Sequence, residues 1–424
     1  MALPVSPQDP WVQIAEILRL IRSGAAQTRP ELADATRLGR NVITLRVQAA
    51  SDLGLVQPSG DARSRGGRAA DVWEFTGHAT HLLVAIQGLT SFRVVLADLG
   101  LHIIETRRVA WSLTADPVET CERMAAELEA LLRAHPEATA WAMGLGLQAP
   151  VNFDTGQSTD PVTSVAQFPR WPRDFNVRKW FVERLGVPVW VESVSNLSAL
   201  GAAAAPGAPA DLVFVRLAKG VGSGIVSDGK LHRGADWVAG EITHITVQDD
   251  HERICMCGRV GCLDAFAGEW AVEADARRAV AEGRSPSLAR LDPAAITVDD
   301  VVAGADAGDV ACVEILLRAA DALGRVLAGV VTWFNPRRVV VGGNALASSS
   351  MFFSAMRRTL TARALAASVE HLEVLVSDRD RDEEVLGALV MVQDLLLSPA
   401  FLAAWGPLGS PLLVEDLRTR ESQL

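Results

Sequence analysis

A chain of 424 residues that is 49% hydrophobic holds enough apolar material for two or three packed domains and is not a disordered polymer. Its net charge of −11 argues against nucleic acid for the chain as a whole, yet residues 1–75 carry nine arginines and no lysine against eight carboxylates, so the acidic excess lies wholly in the remainder. The opening MALPVSPQDPW has no basic stretch leading into an apolar core, and no run of eighteen uncharged apolar residues follows, so a cytoplasmic chain with no signal peptide or membrane span is expected.

Residues 8–76 read as helices and a hairpin. Ile14, Ile17, Leu18 and Ile21 recur at helical spacing until Ser23-Gly24 ends the run. Thr28-Arg-Pro-Glu31 is a capping-box pattern that opens a short helix through Thr36, and Leu38-Gly39 makes a turn. The next helix, Arg40 to Asp52, has Val42, Leu45, Val47 and Leu53 available for burial, with Arg40, Asn41, Thr44, Arg46 and Gln48 facing outward. Two helices joined by a short Gly-bearing turn make a helix-turn-helix layout, which sets Arg40, Asn41, Thr44 and Arg46 toward base edges or phosphates of double-stranded DNA. Leu55-Val56 and Val72-Trp73-Glu74-Phe75 then predict the strands of a wing around SGDARSRGGRAAD, whose Arg63, Arg65 and Arg68 suit phosphate or minor-groove contact. A small helical protein-interaction domain with a solvated loop would share this pattern.

Residues 80–398 change character. LLVAIQ, FRVVLADLG and HIIETRRVAW predict a strand meander, followed by a helix over Val118 to Ala134, a buried strand over Trp141 to Leu147 and a helix over Asp174 to Arg184. A strand over Val187 to Glu192 and an alanine-rich helix from Asn196 come next, an alternation that argues an α/β architecture. Gly220-Val-Gly222-Ser-Gly224, between LVFVRLA and IVSDG, reads equally as an anion-cradling turn or as a hairpin that needs positive φ. Cys312 to Phe334 predicts a long buried helix stopped by Asn335-Pro336, Arg337 to Val341 a strand ending in Gly342-Gly343, and residues 385–397 a last packed helix. The tail, 399–424, carries no readable pattern.

The densest chemistry lies in EITHITVQDDHERICMCGRVGCLD, from Glu241 to Asp264. Three of the five cysteines stand as Cys255-x-Cys257-x4-Cys262, with His244 eleven positions ahead of the first. Three thiolates and an imidazole match a closed tetrahedral Zn2+ site, and four protein donors leave no open position, so the metal is read as structural. Gly258 and Gly261 lie where such a knuckle turns tightly. Cysteines gathered in this way, with Cys121 and Cys312 left alone, suit a reducing compartment rather than a disulfide framework.

Gly240-Glu-Ile-Thr-His244 followed by CMCGRVGCLD closely resembles the signature of the ROK family, which groups sugar-responsive repressors, uncharacterised reading frames and sugar kinases. The similarity runs from Leu82 to about Leu397 and takes in Pro150-Val151, Trp171, the GVGSG stretch, GKLHRGADWVAGE and NPRRVVVGGN, and the N-terminal module looks like the one that the family's repressor branch carries. The resemblance implies an N-terminal winged helix-turn-helix followed by an actin-like ATPase fold of two lobes around a cleft. It also implies zinc beside a sugar pocket, and a homodimer or homotetramer whose paired modules read a palindromic operator.

The departures from that pattern carry the functional expectation. Where the family's kinases have an Asp-x-Gly-Gly-Thr turn, this chain has Ile86-Gln87-Gly88-Leu89-Thr90, and where they have Glu-Asn-Asp-Ala-Asn, whose Asp is the general base, it has Glu192-Ser193-Val194-Ser195-Asn196. A hydrocarbon accepts no proton, so phosphotransfer is not expected and no catalytic residue is assigned. Gln148-Ala149 stands for the family's Pro-Gly, Thr243 for a Gly, and Asp264 for a Glu. Glu241, Asp264, Asn196 and Ser193 remain as candidates for a sugar or other small effector, with a solvated surface carboxylate as the alternative for Glu241. The resulting expectation is a DNA-binding transcriptional regulator with a catalytically inactive kinase-like domain. An ATP-dependent sugar kinase carrying a DNA module and a scaffolding protein are the competing roles.

Overall fold

A computed structural model describes residues 8–61, 71–78, 80–158, 171–172, 174–248, 253–378 and 381–414. The N-terminal part consists of α1 (Pro10–Arg22), α2 (Arg29–Thr36), α3 (Arg40–Asp52) and an antiparallel pair, β1 (Val56–Asp61) with β2 (Asp71–Phe75). Local chemistry sets each helix start. Asp9 Oδ1 accepts from Trp11 N at 2.8 Å, and the expected capping box forms, with Glu31 Oε2 accepting from Thr28 N at 2.9 Å.

The burial of α3 differs from the sequence expectation. Ile43, Val47 and Ala50 face the core, Val42 and Leu53 are half-buried, and Leu45 is 63% exposed. The helix enters from Gly39 with its i, i+4, i+7 row, 43, 47 and 50, inward, which turns 41, 44, 45 and 48 to solvent.

The body contains two sheets of one design. The first is built from β3 (His81–Gln87), β4 (Ser91–Asp98), β5 (Ile103–Ala110), α4 (Pro117–Ala134), β6 (Ala140–Leu147), the short pair β7 (Val151–Asn152) and β8 (Gln157–Ser158), α5 (Val177–Leu185), β9 (Val189–Ser193) and α6 (Val194–Ala203). The second uses β10 (Leu212–Leu217), β11 (Val221–Ser227), β12 (Lys230–Leu231), α7 (Asp264–Ala267), α8 (Glu269–Ala281), α9 (Val298–Asp306), α10 (Val310–Phe334) and β13 (Arg338–Gly343). It is completed by α11 (Ala345–Ser348), α12 (Ser350–Arg363), α13 (Ala366–Val369) and β14 (Glu373–Val376), before α14 (Glu383–Leu396) and α15 (Pro399–Trp405) close the described chain. The strand orders are β5-β4-β3-β6-β9 and β12-β11-β10-β13-β14. Each sheet is thus an antiparallel meander of three strands to which two more add in parallel, after crossovers that include helices.

The helix expected from Asp174 begins later, at Val177, because Asn176 Oδ1 caps it by accepting from Lys179 N at 2.9 Å. The GVGSG stretch enters a hairpin, one of the two expected readings, but none of its glycines takes positive φ. The chain reverses at Ala218-Lys219-Gly220, and Gly222 and Gly224 run along β11 with no positive φ. Their missing side chains admit α6: a Cβ at Gly222 would lie 2.2 Å from Ser195 Oγ, and one at Gly224 2.7 Å from Ser195 O.

The helices α6 and α14 pack on each other between the sheets, α6 against β10 and β11, α14 against β3 and β6. One apolar cluster runs from Leu82, Val84 and Val392 through Phe401 and Trp405 to Ile14, Ile17 and Val47 of the N-terminal helices. The segment after Pro399, unread in the sequence, is therefore a wedge between α1 and α14. Trp405 is fully buried and donates from Nε1 to Leu396 O at 2.9 Å, and Arg22 of α1 donates to Gln393 Oε1 of α14 at 2.6 Å. Among the described residues no single helix is long and apolar enough to cross a membrane.

Candidate functional site

The knuckle forms as a cluster. His244, on a short 3-10 turn over Ile242–His244, and Cys255, Cys257 and Cys262 place their ligand atoms within 4.8 Å of one another. Cys255 Sγ lies 3.6 Å from His244 Nδ1, and Cys257 Sγ 3.7 Å from Cys262 Sγ. Gly258 and Gly261 both take positive φ, 82° and 71°, and a Cβ at Gly261 would fall 1.7 Å from Gln248 O, so no other residue turns the chain here. Isolated bridges Thr246 to Cys262 and Ile254 to Val260 fold the segment back on itself.

This cluster joins the two segments that carry the candidate effector carboxylates. Glu241 stands three residues before His244, and Asp264 two residues after Cys262. The two differ in what the fold does with them. Asp264 is 4% exposed, and its oxygens accept from Val221 N at 3.0 Å and Trp270 Nε1 at 2.8 Å, so it braces β11 against α8 rather than presenting free acceptors. Glu241 is open to solvent, yet the protein atoms around it desolvate its carboxyl and push it up to about 6. Among the described residues its carboxylate has no hydrogen-bond partner.

Ser193 and Asn196 belong to a buried network around Glu192. Glu192 Oε1 accepts from Ser193 N at 2.8 Å and Asn196 Nδ2 at 2.9 Å, while Oε2 accepts from Arg233 Nε at 2.7 Å. Ser193 caps α6 by accepting from Asn196 N at 3.2 Å. Arg233, which the sequence did not single out beyond its place in GKLHRGADWVAGE, lies 3.8 Å over the Phe153 ring. Asn196 Oδ1 is buried with no partner; its amide is oriented by the donation to Glu192, so the orphaned oxygen is an acceptor awaiting a donor. Gly240 packs against Ser223 and Gly224, and Gly224 in turn against Asn196 Cα, which brings the Glu241 loop and the start of α6 to the same stretch of β11.

The two apolar departures from the kinase pattern meet in space. Ile86 and Val194 are 0% and 2% exposed and belong to one apolar cluster. An added Cβ at Gly146 would be 2.8 Å from Ile86 Cδ1 and 3.4 Å from Val194 Cγ2, with Leu197 Cδ1 also at 2.8 Å. Both side chains are built into the packing between β3, β6 and α6.

Beside this corner lies an ionic clamp that sequence reading missed, because its members are far apart in the chain. Glu384, at the start of α14, accepts from Arg216 of β10 at 2.7 Å and pairs with Arg93 of β4, which also pairs with Asp382. Arg216 reaches Gln148 Oε1 at 3.3 Å, and Gln148 donates from Nε2 to Gln87 O at 2.7 Å. Burial would raise the Glu384 carboxyl, but the two guanidinium groups outweigh it and hold it below the ordinary range. The clamp ties both sheets to α14.

In the N-terminal part, Arg40, Asn41 and Thr44 are exposed along α3, as expected, with Leu45 and Gln48 beside them. Arg46 departs from that expectation: half-buried, it donates from Nε to Gln13 Oε1 of α1 at 2.9 Å. Arg37, exposed and left-handed (φ 58°) at the turn between α2 and α3, joins the same surface. Arg63, Arg65 and Arg68 lie outside the described residues.

Residues 84–395 match the profile of the ROK family. The chain belongs to the ROK family. The xylose repressor of Caldicellulosiruptor bescii is 25% identical to it over 91% of this chain and 96% of that one. A glucokinase of Halalkalibacterium halodurans is 30% identical over 61% of this ROK chain and 79% of its own. Among solved structures, a ROK family transcriptional regulator described as a homologue of the E. coli MLC protein superposes with a TM-score of 0.80 at 21% identity, over 93% of this chain and 98% of that one. The fold likeness to that regulator therefore extends through the N-terminal helices as well as the two-sheet body.

Proposed function

We propose that this ROK protein is a cytosolic DNA-binding transcriptional repressor whose kinase-like body binds a sugar-like effector and does not phosphorylate it. The observation that carries the reading is the exposed face of α3, where Arg40, Asn41, Thr44, Leu45 and Gln48 stand together on a three-helix unit with an antiparallel pair behind it. That arrangement supports a winged helix-turn-helix, with α3 as the helix that would enter the major groove. A thymine methyl is the apolar feature that a major groove would offer to the exposed Leu45 side chain. Full-length similarity to a xylose repressor supports the same reading.

The His244, Cys255, Cys257 and Cys262 cluster is assigned a structural zinc. Bond lengths of about 2.3 Å to sulfur and about 2.0 Å to nitrogen put tetrahedral donors roughly 3.5–3.8 Å apart. The observed 3.6 and 3.7 Å separations support that set. When bound, the metal supplies no chemistry beyond holding the Glu241 and Asp264 segments together. Effector recognition falls to Glu241 and Asn196, whose carboxylate and Oδ1 have no protein donor among the described residues, with Ser193 and Glu192 orienting Asn196. In a dimer or tetramer, two such modules would read half-sites of a palindrome about one helical turn apart or a multiple of it.

Gel-shift titration of the purified protein on its own upstream DNA tests the reading. Retardation that weakens steeply as salt rises is expected, because phosphate contacts release counterions; no retardation at low salt sinks it. A sugar kinase carrying a DNA module is the second reading, favoured by the glucokinase likeness. It requires ATP-dependent phosphorylation of a hexose by a chain with Val194 and Ile86 at the catalytic corner.

A further inference from the structure

A second group of metal-ligating side chains lies far along the chain from the knuckle, where the polypeptide leaves β2 and enters the body. His78 Nδ1 is 2.8 Å and His102 Nδ1 is 3.1 Å from the same oxygen, Asp98 Oδ2. The ligand atoms of these three residues all fall within 4.8 Å of one another. Asp98 ends β4, and His102 lies in the turn that leads to β5. His78 comes from the passage between the N-terminal module and β3, a passage held to the same turn by Leu99 N donating to Gly77 O at 3.0 Å.

The roles are divided as in a ligand set. Asp98 is 4% exposed, and its Oδ1 is fixed by accepting from His102 N at 2.9 Å, which leaves Oδ2 as the oxygen both rings address. The imidazoles are open to water, each side chain 73% exposed, and stack with centroids 5.6 Å apart and planes 21° from parallel. Nearby His81 is not part of the set, since its Nδ1 accepts from Thr139 N at 3.2 Å. Donors bonded to one ion at about 2.0–2.1 Å stand roughly 2.9 Å apart at right angles and about 3.4 Å apart in a tetrahedron. The two separations at Asp98 Oδ2 lie at the right-angled end of that range.

We propose that His78, Asp98 and His102 form a second metal site, for a first-row divalent transition ion held by two imidazoles and one carboxylate, with water completing its coordination. This donor set selects Zn2+, Co2+, Ni2+ or Cu2+ over Ca2+ and Mg2+, which take oxygen. An ion there fastens the junction to the β4-β5 turn, so it fixes the passage between the module and the body. The site is solvent-facing and three-liganded, and it exchanges its ion more readily than a closed four-ligand knuckle.

Co2+ titration of the full-length protein, first loaded with zinc and freed of excess, tests this. Wild type is expected to bind about one further equivalent per chain, with weak visible d–d bands and no sulfur-to-cobalt charge transfer. The His78→Ala/His102→Ala variant should lose that equivalent and keep the zinc. Because losing both rings leaves the buried Asp98 Oδ2 without its partners, the variant is expected to melt lower than wild type without added metal; the second reading is therefore the shift that Co2+ causes within each protein, a rise in wild type alone. Equal uptake by the two proteins, or cobalt spectra carrying thiolate charge transfer only, overturns the assignment.

Discussion

The knuckle and the Ile86/Val194 corner show opposite fates of functional chemistry within one body. At the knuckle every donor of a four-ligand set is present and converges, with ligand atoms within 4.8 Å. At the corner, the two positions where a ROK kinase would hold carboxylates are hydrocarbon, and both are absorbed into the apolar cluster around Gly146. A structural metal site, as proposed for the knuckle, can persist where phosphotransfer does not, because folding free energy is coupled to metal binding. A general base contributes only to the reaction, and a buried carboxylate with no reaction to serve costs stability. The difference teaches that, under the proposed function, the body serves as a shape and a binding surface rather than as a catalyst.

The strongest way to break that comparison is at the knuckle. Cys257→Ser should lower zinc below one per chain and destabilise the body by at least about 5 kcal/mol, a fraction of the roughly 10–16 kcal/mol with which small structural sites hold the metal. Metal analysis with thermal melting checks both. Retention of one zinc with an unchanged melting curve would remove the knuckle's structural role.

Next in size is the corner. Val194→Asp restores the residue type a kinase uses, but here it sets a carboxylate among Ile86, Leu197 and Val194's other apolar neighbours. An uncompensated buried charge costs about 3–5 kcal/mol, so denaturant melts should show a loss on that scale and no gain of phosphotransfer. A variant as stable as wild type would mean that the corner opens to water.

How much of this was legible in the sequence follows from the range of the interactions. The capping box at Thr28, the three-helix order and the knuckle spacing are local, set by residues within a few positions, and all appear in the structure. The paired design of the two sheets was hidden because its sign is strand order, not composition. The clamp of Arg93, Arg216 and Glu384 was hidden for a related reason, since nothing in a lone arginine shows which distant carboxylate it meets. Arg46 and Leu45 were exchanged because polarity alone does not fix which face of a helix turns inward, and here packing buries the row Ile43, Val47 and Ala50. Gly222 and Gly224 read as turn residues because a strand pressed against a helix needs glycine for space as much as a turn needs it for φ.

The kept-or-lost contrast extends to α3. Arg40→Ala should weaken DNA binding by about 1–3 kcal/mol, whereas Arg46→Ala, whose guanidinium is engaged by Gln13, should weaken it less. Gel-shift affinities at one salt concentration separate them, and equal losses would place Arg46 on the DNA after all.

The smallest effect is at Glu241, which stands three residues before His244 of the knuckle and is proposed to bind an effector rather than a reacting sugar. Crowding raises its carboxyl from 4.5 to about 6, so the folded protein holds this proton more readily than the unfolded chain does. Its contribution to stability is therefore full below the unfolded value and is lost as pH rises through about 6. Glu241→Gln stays neutral throughout, so its stability relative to wild type should be higher at pH 7.5 than at pH 4.5, by less than about 1 kcal/mol because the side chain is open to solvent. Effector binding should move the other way. An ionised Glu241 accepts hydrogen bonds from hydroxyls, so affinity for a sugar should climb through pH 6 in wild type and stay flat in the variant. Parallel pH profiles for the two proteins would take Glu241 out of the effector site and leave it a solvated surface carboxylate.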